Sequence, residues 1–404
     1  MTHIVLLGIS GADRPGITAM VTEVLAAHAG NVLDIGQAVI HDHLSLGLLV
    51  ELPEAHEESA AVRELGVRCA GWNLLLECTP VGAQAYRDWA AGQGRARHIV
   101  TLLSRRLRSA DIARVCGVIA AHGLSIAGIT RLSGRPSPDA TANDRACVEF
   151  ALRGPIADPA AVRGELLALA AELGVDIACQ EDDLFRRSRR LVAFDMDSTL
   201  IEAEVIDELA KRAGAGAEVA AITERAMRGE LDFAESFRRR VGLLAGLEEQ
   251  VLAEVAAGLR LTEGAEKLVA TLQRLGLRTA IISGGFGYFA RGIQQRLGVD
   301  YVFANELDIE NGRVSGRVSG PIVDGARKAA LLREIAAREG IPLEQVIAVG
   351  DGANDLPMLA IAGLGIAFRA KPVVRASARH AINTLGLDSI LYLLGIRDRD
   401  VPSG

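Results

Sequence analysis

The pattern of apolar and polar positions changes once along the chain, at about Leu191. Ahead of that point one plan is written twice. "HIVLLGIS", then Ala12 to His28, then "NVLDIGQAVI" read as strand, helix and strand; "HIVTLLS", Ala110 to His122 and "LSIAGITRLS" read the same way. Both helices end in Ala-Ala-His followed closely by a glycine, Gly30 or Gly123, the usual helix-stop residue. The copies are offset by 95 residues at the first strand and 94 at the helix end, so one residue has been lost between them. Each copy continues with a strand (His43 to Leu52; Ala146 to Arg153), a helix (His56 to Leu65; Pro159 to Leu173) and a last strand (Asn73 to Thr79; Val175 to Cys179). That is βαββαβ twice, the ferredoxin-like plan of one antiparallel sheet with two helices on one face. The predicted domains are 1–81 and 97–181, joined by "VGAQAYRDWAAGQGRAR", with "EDDLFRRSRR" leading out of the second. "SGRPSPDATANDR" reads as a mobile hairpin loop.

From 185 to 404 a third domain is expected, and its pattern is α/β. Strands of unbroken apolar character, Leu191–Phe194, Arg278–Ile282, Val346–Val349 and Gly365–Phe368, alternate with helices such as Glu263–Leu275 and Arg327–Glu339. Continuous apolar runs with helices between them predict a parallel sheet covered on both faces. A helix-rich block of about 205–260 has no strand candidate, is long for a crossover connection and reads as an inserted cap.

Composition adds that this is a globular chain: 50% hydrophobic, 24% charged and 4% aromatic. A formal charge of −7, without any basic tract interleaved with aromatics, argues against a nucleic-acid partner. Arg186, Arg187, Arg189 and Arg190 read as a solvated linker. The five cysteines are scattered and lack any CxxC spacing, which predicts reduced thiols rather than disulfides or a zinc site. No apolar run is long enough for a bilayer and no basic leader precedes one, so a cytoplasmic location without a membrane partner is expected. "LLGIRDRDVPSG" at the C-terminus reads as a frayed tail.

The chemistry gathers at strand ends, where open parallel sheets place it. The first parallel strand ends in Asp195-Met196-Asp197-Ser198-Thr199, the second in Ser283-Gly284-Gly285, and the third in Gly350-Asp351-Gly352-Ala353-Asn354-Asp355; Lys328 opens a helix before the third. Two carboxylates ending a buried strand need a positive partner. Three carboxylates (Asp195, Asp197, and Asp355 or Asp351) without His or Cys ligands suit a hard cation such as Mg²⁺. A serine hydroxyl, glycine amides and a lysine can converge as donors on a phosphoryl group. One carboxylate can then be a nucleophile and another a proton donor.

DxDST, SGG, a lysine and GDGxND in this order resemble the haloacid dehalogenase-like phosphatases. "DSTLIEAEVIDELA" and "AMRGELDFAESFRRRVGLL" resemble the branch of that family that acts on phosphoserine, and the two βαββαβ units resemble ACT domains. The resemblance implies a Rossmann-like catalytic domain with a helical cap. It implies a Mg²⁺-dependent hydrolysis of O-phospho-L-serine, the last step of serine biosynthesis, through an aspartyl-phosphate. Asp195 then resembles the nucleophile and Asp197 the general acid and base. Asp351 would complete the Mg²⁺ site with Asp195 and the Asp197 carbonyl, supported by Asp355. Ser283, Gly284 and Lys328 would hold phosphoryl oxygens, with Asn354 beside them. Phosphoserine carries an ammonium and a carboxylate, so its site needs an acid and a fork-shaped cation. Glu204 and Arg240 match the family's positions for those roles, and Met227 and Phe233 match its apolar lining. Standing alone, Glu204 reads equally as a first-turn helix acid and Arg240 as part of a solvated arginine run.

In the first copy, Asp13 and Gly16 flank a strand-to-helix turn where backbone N–H groups can take an amino-acid carboxylate. The same residues also make an ordinary helix start with Pro15 at its first position. The second copy has no glycine there, only Ser109 and Asp111, which puts a ligand at that turn in doubt. The ACT resemblance implies a homo-oligomer, a dimer foremost, with serine as feedback effector. Two rival functions stand beside this one: a phosphatase for another phosphorylated small molecule or for phosphoproteins, and an amino-acid sensor with a vestigial catalytic half.

Overall fold

The first strand, β1 (His3–Ala12), buries Val5, Leu7 and Ile9 and leaves the residues between them less covered, so it shows one face to a core. The computed structural model describes residues 3–54, 59–92, 97–135, 145–228 and 230–401, without the side chain of Met227. With β2 (Asn31–Ile40), β3 (His43–Leu52) and β4 (Leu75–Val81), β1 forms an antiparallel sheet in the order β2-β3-β1-β4. Helices Ile17–Ala27 and Ala60–Gly71 close its core. The second copy repeats this with β5 (His98–Ser104), β6 (Ser125–Arg131), β7 (Ala146–Arg153) and β8 (Asp176–Glu181), in the order β6-β7-β5-β8. Its helices are Ser109–Ala121 and Pro159–Leu173, the latter capped by Asp158 and stopped by the left-handed Gly174. The chain divides into two compact units, Met1–Arg95 and Ala96–Gly404, so the second copy forms one body with the C-terminal α/β part.

That α/β part is a seven-stranded sheet of β9 (Leu191–Phe194), β10 (Arg278–Phe286), β11 (Tyr301–Glu310), β12 (Arg313–Ser319), β13 (Val346–Gly350), β14 (Leu364–Phe368) and β15 (His380–Ile382). Its order is β12-β11-β10-β9-β13-β14-β15, parallel throughout except for β12, which is antiparallel to β11. β9 lies at its centre and is fully buried, as its apolar run predicts. Between β9 and β10 stand four cap helices, Val205–Arg212, Gly216–Met227, Phe233–Gly242 and Glu249–Gly258.

Several expectations need correction. The linker after the first copy holds a helix, Ala83–Ala91. The arginine run is not simply solvated: Arg186 is fully buried, paired with Glu149 and lying 3.7 Å from Asp182. The C-terminus is no frayed tail up to Val401, since Tyr392 and Leu393 are core residues and the Tyr392 hydroxyl donates to Asp398 at 2.7 Å. The expected mobile loop falls mostly on 136–144, outside the described residues. β11, β12 and β15 were not expected from the apolar pattern.

Candidate active site

The sheet order places the ends of β9, β10 and β13 side by side. At the end of β9 the Asp195 N–H donates to the Val349 carbonyl at 2.9 Å, tying the turn to β13. The turn then tightens: Ser198 takes a left-handed φ of 54°, uncommon for a residue with a side chain, held by its N–H on the Ala203 carbonyl at 3.1 Å.

Lys328 sits in the first turn of helix Gly325–Arg338, which Asp324 caps, and is fully buried. Its Nζ lies 2.8 Å from Asp195 Oδ1 and donates to Asp355 Oδ1 at 2.6 Å. Burial opposes its charge, but the two carboxylates outweigh that and hold the lysine protonated beyond its usual range. Asp195, Asp351 and Asp355 bring one carboxylate oxygen each to within 4.8 Å of one another. Burial, with Asp355 beside it, pushes Asp195 up to about 7 despite Lys328. Burial and the neighbouring Asp195 and Asp355 push Asp351 up to about 8. Asp195 Oδ1 is buried without a well-directed hydrogen bond. A clustered, charge-repelling set of hard oxygen donors fits Mg²⁺.

Asp197 faces β10. Its Oδ1 accepts from the Val205 N–H at 3.1 Å, and a Cβ on Gly285 would lie 2.3 Å from its Oδ2, so only glycine fits there. Burial, then Glu204 and Asp195, raise Asp197 well above its ordinary value, which favours its protonated form. Ser283 is fully buried and its Oγ accepts from the Gly285 N–H at 2.9 Å. Gly284 is approached from two sides: a Cβ there would lie 3.1 Å from Phe233 Cζ of the cap and 3.5 Å from Asn354 Nδ2. The cap therefore reaches down to the SGG turn.

Glu204 accepts from Ser198 Oγ at 2.8 Å, and burial raises its pKa against the pull of Ser198, Lys371 and Arg240. Arg240 is half-buried, its Nη1 donating to Thr223 Oγ1 at 3.4 Å while its Nε is buried without a partner. Burial lowers its pKa while Asp207, Glu204 and Asp197 pull it up, so an acid and a guanidinium share the space above Asp197. Met227 closes its cap helix, but its side chain lies outside the described residues. Asp13 and Gly16 belong to the other unit, Met1–Arg95.

Three supporting residues were given no role by the sequence, although Thr199 and Gly285 lie within DxDST and SGG. Thr199 Oγ1 donates to Asp351 Oδ1 at 3.2 Å. Gly285 leaves room for Asp197. Asn305 is buried at the end of the parallel stretch of β11; its Nδ2 donates to the Gly284 carbonyl and its Oδ1 accepts from the Val323 N–H, both at 2.8 Å. A lone polar residue closing the apolar run "YVFAN" was the available signal for Asn305.

Comparison with known proteins agrees with this geometry. Residues 192–360 match the haloacid dehalogenase-like hydrolases and residues 3–78 match the ACT domain. A phosphoserine phosphatase of Streptomyces coelicolor is 45% identical over 98% of this chain and 93% of its own length. The chain belongs to the phosphoserine phosphatases of the haloacid dehalogenase-like family. Phosphoserine phosphatase SerB2 of Mycobacterium tuberculosis is 41% identical over 99% of this chain and 95% of its own. Among solved structures, a probable phosphoserine phosphatase from Vibrio cholerae superposes with a TM-score of 0.59 at 36% identity, over 74% of this chain and 87% of that one.

Proposed function

We propose that the chain hydrolyses O-phospho-L-serine to L-serine and phosphate, with Asp195 as nucleophile and Asp197 as acid and base. The observation that carries this is the contrast between two neighbouring carboxylates. Asp195 lies 2.8 Å from a buried ammonium, which favours its ionised form, whereas Asp197 makes no ion pair among the described residues and burial raises it well above its ordinary value, which favours its protonated form. An Asp195 oxygen attacks phosphorus and the bond to the serine oxygen breaks. Asp197 gives its proton to that oxygen. A water then passes a proton back to Asp197 and attacks the acyl-phosphate, which releases phosphate and restores Asp195.

Lys328, Ser283 and the Gly284 amide hold phosphoryl oxygens in this reading, with Asn354 alongside. Asp195, Asp351 and the Asp197 carbonyl, backed by Asp355, would hold Mg²⁺, which would supply charge neutralisation for the approaching anions. Glu204 takes the substrate ammonium and Arg240 its carboxylate, with Met227 and Phe233 as apolar lining. The three domains run over 1–81, 97–181 and 185–404, with the cap at about 205–260. The ACT-like domains carry an amino-acid effector, serine foremost, at Asp13 and Gly16, in a cytoplasmic homodimer. No helix among the described residues is long and apolar enough to cross a membrane.

The test is phosphate release from O-phospho-L-serine with Mg²⁺, beside EDTA and Asp195→Asn. Release that stops in both controls is expected. An active Asp195→Asn would remove the nucleophile from this reading, and release from an aryl phosphate but not from phosphoserine would overturn the substrate.

A further inference from the structure

The cap is joined to the sheet by two crossing segments, and these pair with each other. The outgoing one runs through Leu200–Glu202 and the returning one through Arg260–Thr262. Ile201 and Leu261 form an antiparallel bridge, the Glu202 N–H donates to the Arg260 carbonyl at 3.0 Å, and the Thr262 N–H donates to the Leu200 carbonyl at 2.9 Å. These segments are the cap's chain connections to the sheet, and Thr199 and Glu204 flank the outgoing one.

The residue directly after the returning segment, Glu263, is gripped from the second βαββαβ copy. Arg105, just beyond β5, donates from Nη1 to Glu263 Oε1 at 3.0 Å and from Nη2 to Oε2 at 2.8 Å. Its Nε donates to the Thr384 carbonyl at 3.1 Å. Thr384 is itself anchored to the same copy, since Asp176 of β8 accepts from the backbone N–H groups of Asn383 and Thr384, each at 2.8 Å. Arg369, at a left-handed φ of 45° after β14, adds a further bond to Glu263 Oε2 at 3.1 Å. The backbone is fastened too: the Glu263 carbonyl accepts from the Leu387 N–H at 2.7 Å. The Arg105 and Glu263 side chains are 34% and 43% exposed, and a single pair at such exposure would contribute little. Here a two-pronged fork, a third bond to an anchored carbonyl and a second arginine form one network, which fixes geometry as well as charge.

We propose that Arg105 is a positioning residue for the phosphatase: its fork on Glu263 fixes the paired segments on which the cap turns, and so places Glu204 and Arg240 over the substrate. The second βαββαβ copy thereby acts on substrate affinity without touching substrate. This rests on the reading of Glu204 and Arg240 as the phosphoserine-binding pair. The consequence is selective. A phosphate ester without an ammonium and carboxylate does not use those two side chains, so it is indifferent to small displacements of the cap.

The experiment compares full-length wild type, Arg105→Ala, Arg105→Lys, Glu263→Gln and the Arg105→Ala/Glu263→Gln pair on phosphoserine and on p-nitrophenyl phosphate. Arg114→Ala serves as control, because Arg114 forks onto Glu172 within the second copy, away from the hinge. Arg105→Ala should raise KM for phosphoserine about 3- to 30-fold while kcat/KM for the aryl ester stays within about twofold. The double variant should match the singles, Arg105→Lys should fall between Arg105→Ala and wild type, and Arg114→Ala should behave as wild type. An unchanged KM in Arg105→Ala, or equal losses on both substrates, overturns the proposal and leaves the phosphatase reading standing. Wild-type activity on the aryl ester without activity on phosphoserine overturns that reading, and this proposal with it.

Discussion

The two βαββαβ copies have the same strand order, and their sheets are covered differently. In β1 the buried Val5, Leu7 and Ile9 alternate with residues such as Leu6, which is 45% exposed. In β5 every residue from Ile99 to Ser104 is buried. The extra covering comes from the catalytic body: Leu103, Leu132, Cys147 and Ala178 join the same core as Tyr392 and Leu393 of the C-terminal segment. Gln180 adds a hydrogen bond to the Leu393 carbonyl at 3.1 Å. One topology can therefore bury the second face of its sheet fully or only in part, and the difference lies in which residues occupy that face. The turns differ in the same sense. Where the first copy has the bare Gly16, the second has Asp111, buried and paired with Arg108 at 2.9 Å.

The sharpest test of this contrast uses one position in two settings. Glu77 pairs with Gly8 in the first sheet, and Asp176 pairs with Leu103, the counterpart of Gly8, in the second. Glu77 is exposed, whereas Asp176 is buried and accepts from Asn383 and Thr384. Asp176→Ala strands two backbone donors in a buried seam and should cost about 3 kcal/mol in urea denaturation, against less than about 0.5 kcal/mol for Glu77→Ala. Equal effects would break the comparison.

A second test uses pH. His380 of β15 is buried, its Nδ1 has no partner, and burial together with Arg163, Arg379 and Arg189 lowers its pKa to about 3. Arg163 stands on the second copy's helix Pro159–Leu173, so the strain belongs to the fused side. The folded pKa is below the unfolded one. The stability it represents is therefore full above about 6.5 and is lost as pH falls toward 3, because the unfolded chain takes up the proton first. Between pH 6.5 and 5 the loss should be on the order of 2 kcal/mol. His380→Leu should flatten that slope; an unchanged slope in this variant would assign the acid sensitivity elsewhere.

How much the sequence revealed depends on the range of the interactions. DxDST, SGG and GDGxND are compact, and each sits at the end of an apolar strand, so the catalytic cluster was legible from the chain alone. The pairing of Glu204 with Arg240 came only through resemblance, since 36 residues of cap separate them. Arg186 looked like solvated charge because its partner Glu149 is 37 residues away on another strand. The strands β11 and β12 were missed because the apolar run "YVFA" at the start of β11 is only four residues long, and the antiparallel stretch that follows is half-exposed. The buried Ile390–Leu394 stretch was different: "ILYLL" is an apolar run, and its burial could have been read from it. Fusion of the second copy to the catalytic body was not legible, since "IVTLL" of β5 is no more apolar than "IVLL" of β1.

The smallest expected effect concerns the turn that remains open. Gly16 has a φ of 97°, and a Cβ there would meet the Trp72 ring at 3.5 Å, an ordinary contact. Space is therefore not the obstacle to a side chain; the left-handed backbone is, and Gly16→Ala should cost about 1 kcal/mol. Arg14 lies 3.9 Å over the same Trp72 ring, so a guanidinium and an indole stand beside this turn. If the first copy is the effector module, Gly16→Ala should abolish the rise in melting temperature with L-serine while leaving phosphoserine hydrolysis intact. Arg108→Ala, at the filled turn of the second copy, should leave the serine response unchanged. A serine response that survives Gly16→Ala and disappears with Arg108→Ala would reverse the roles assigned to the two copies, making the fused one the sensor.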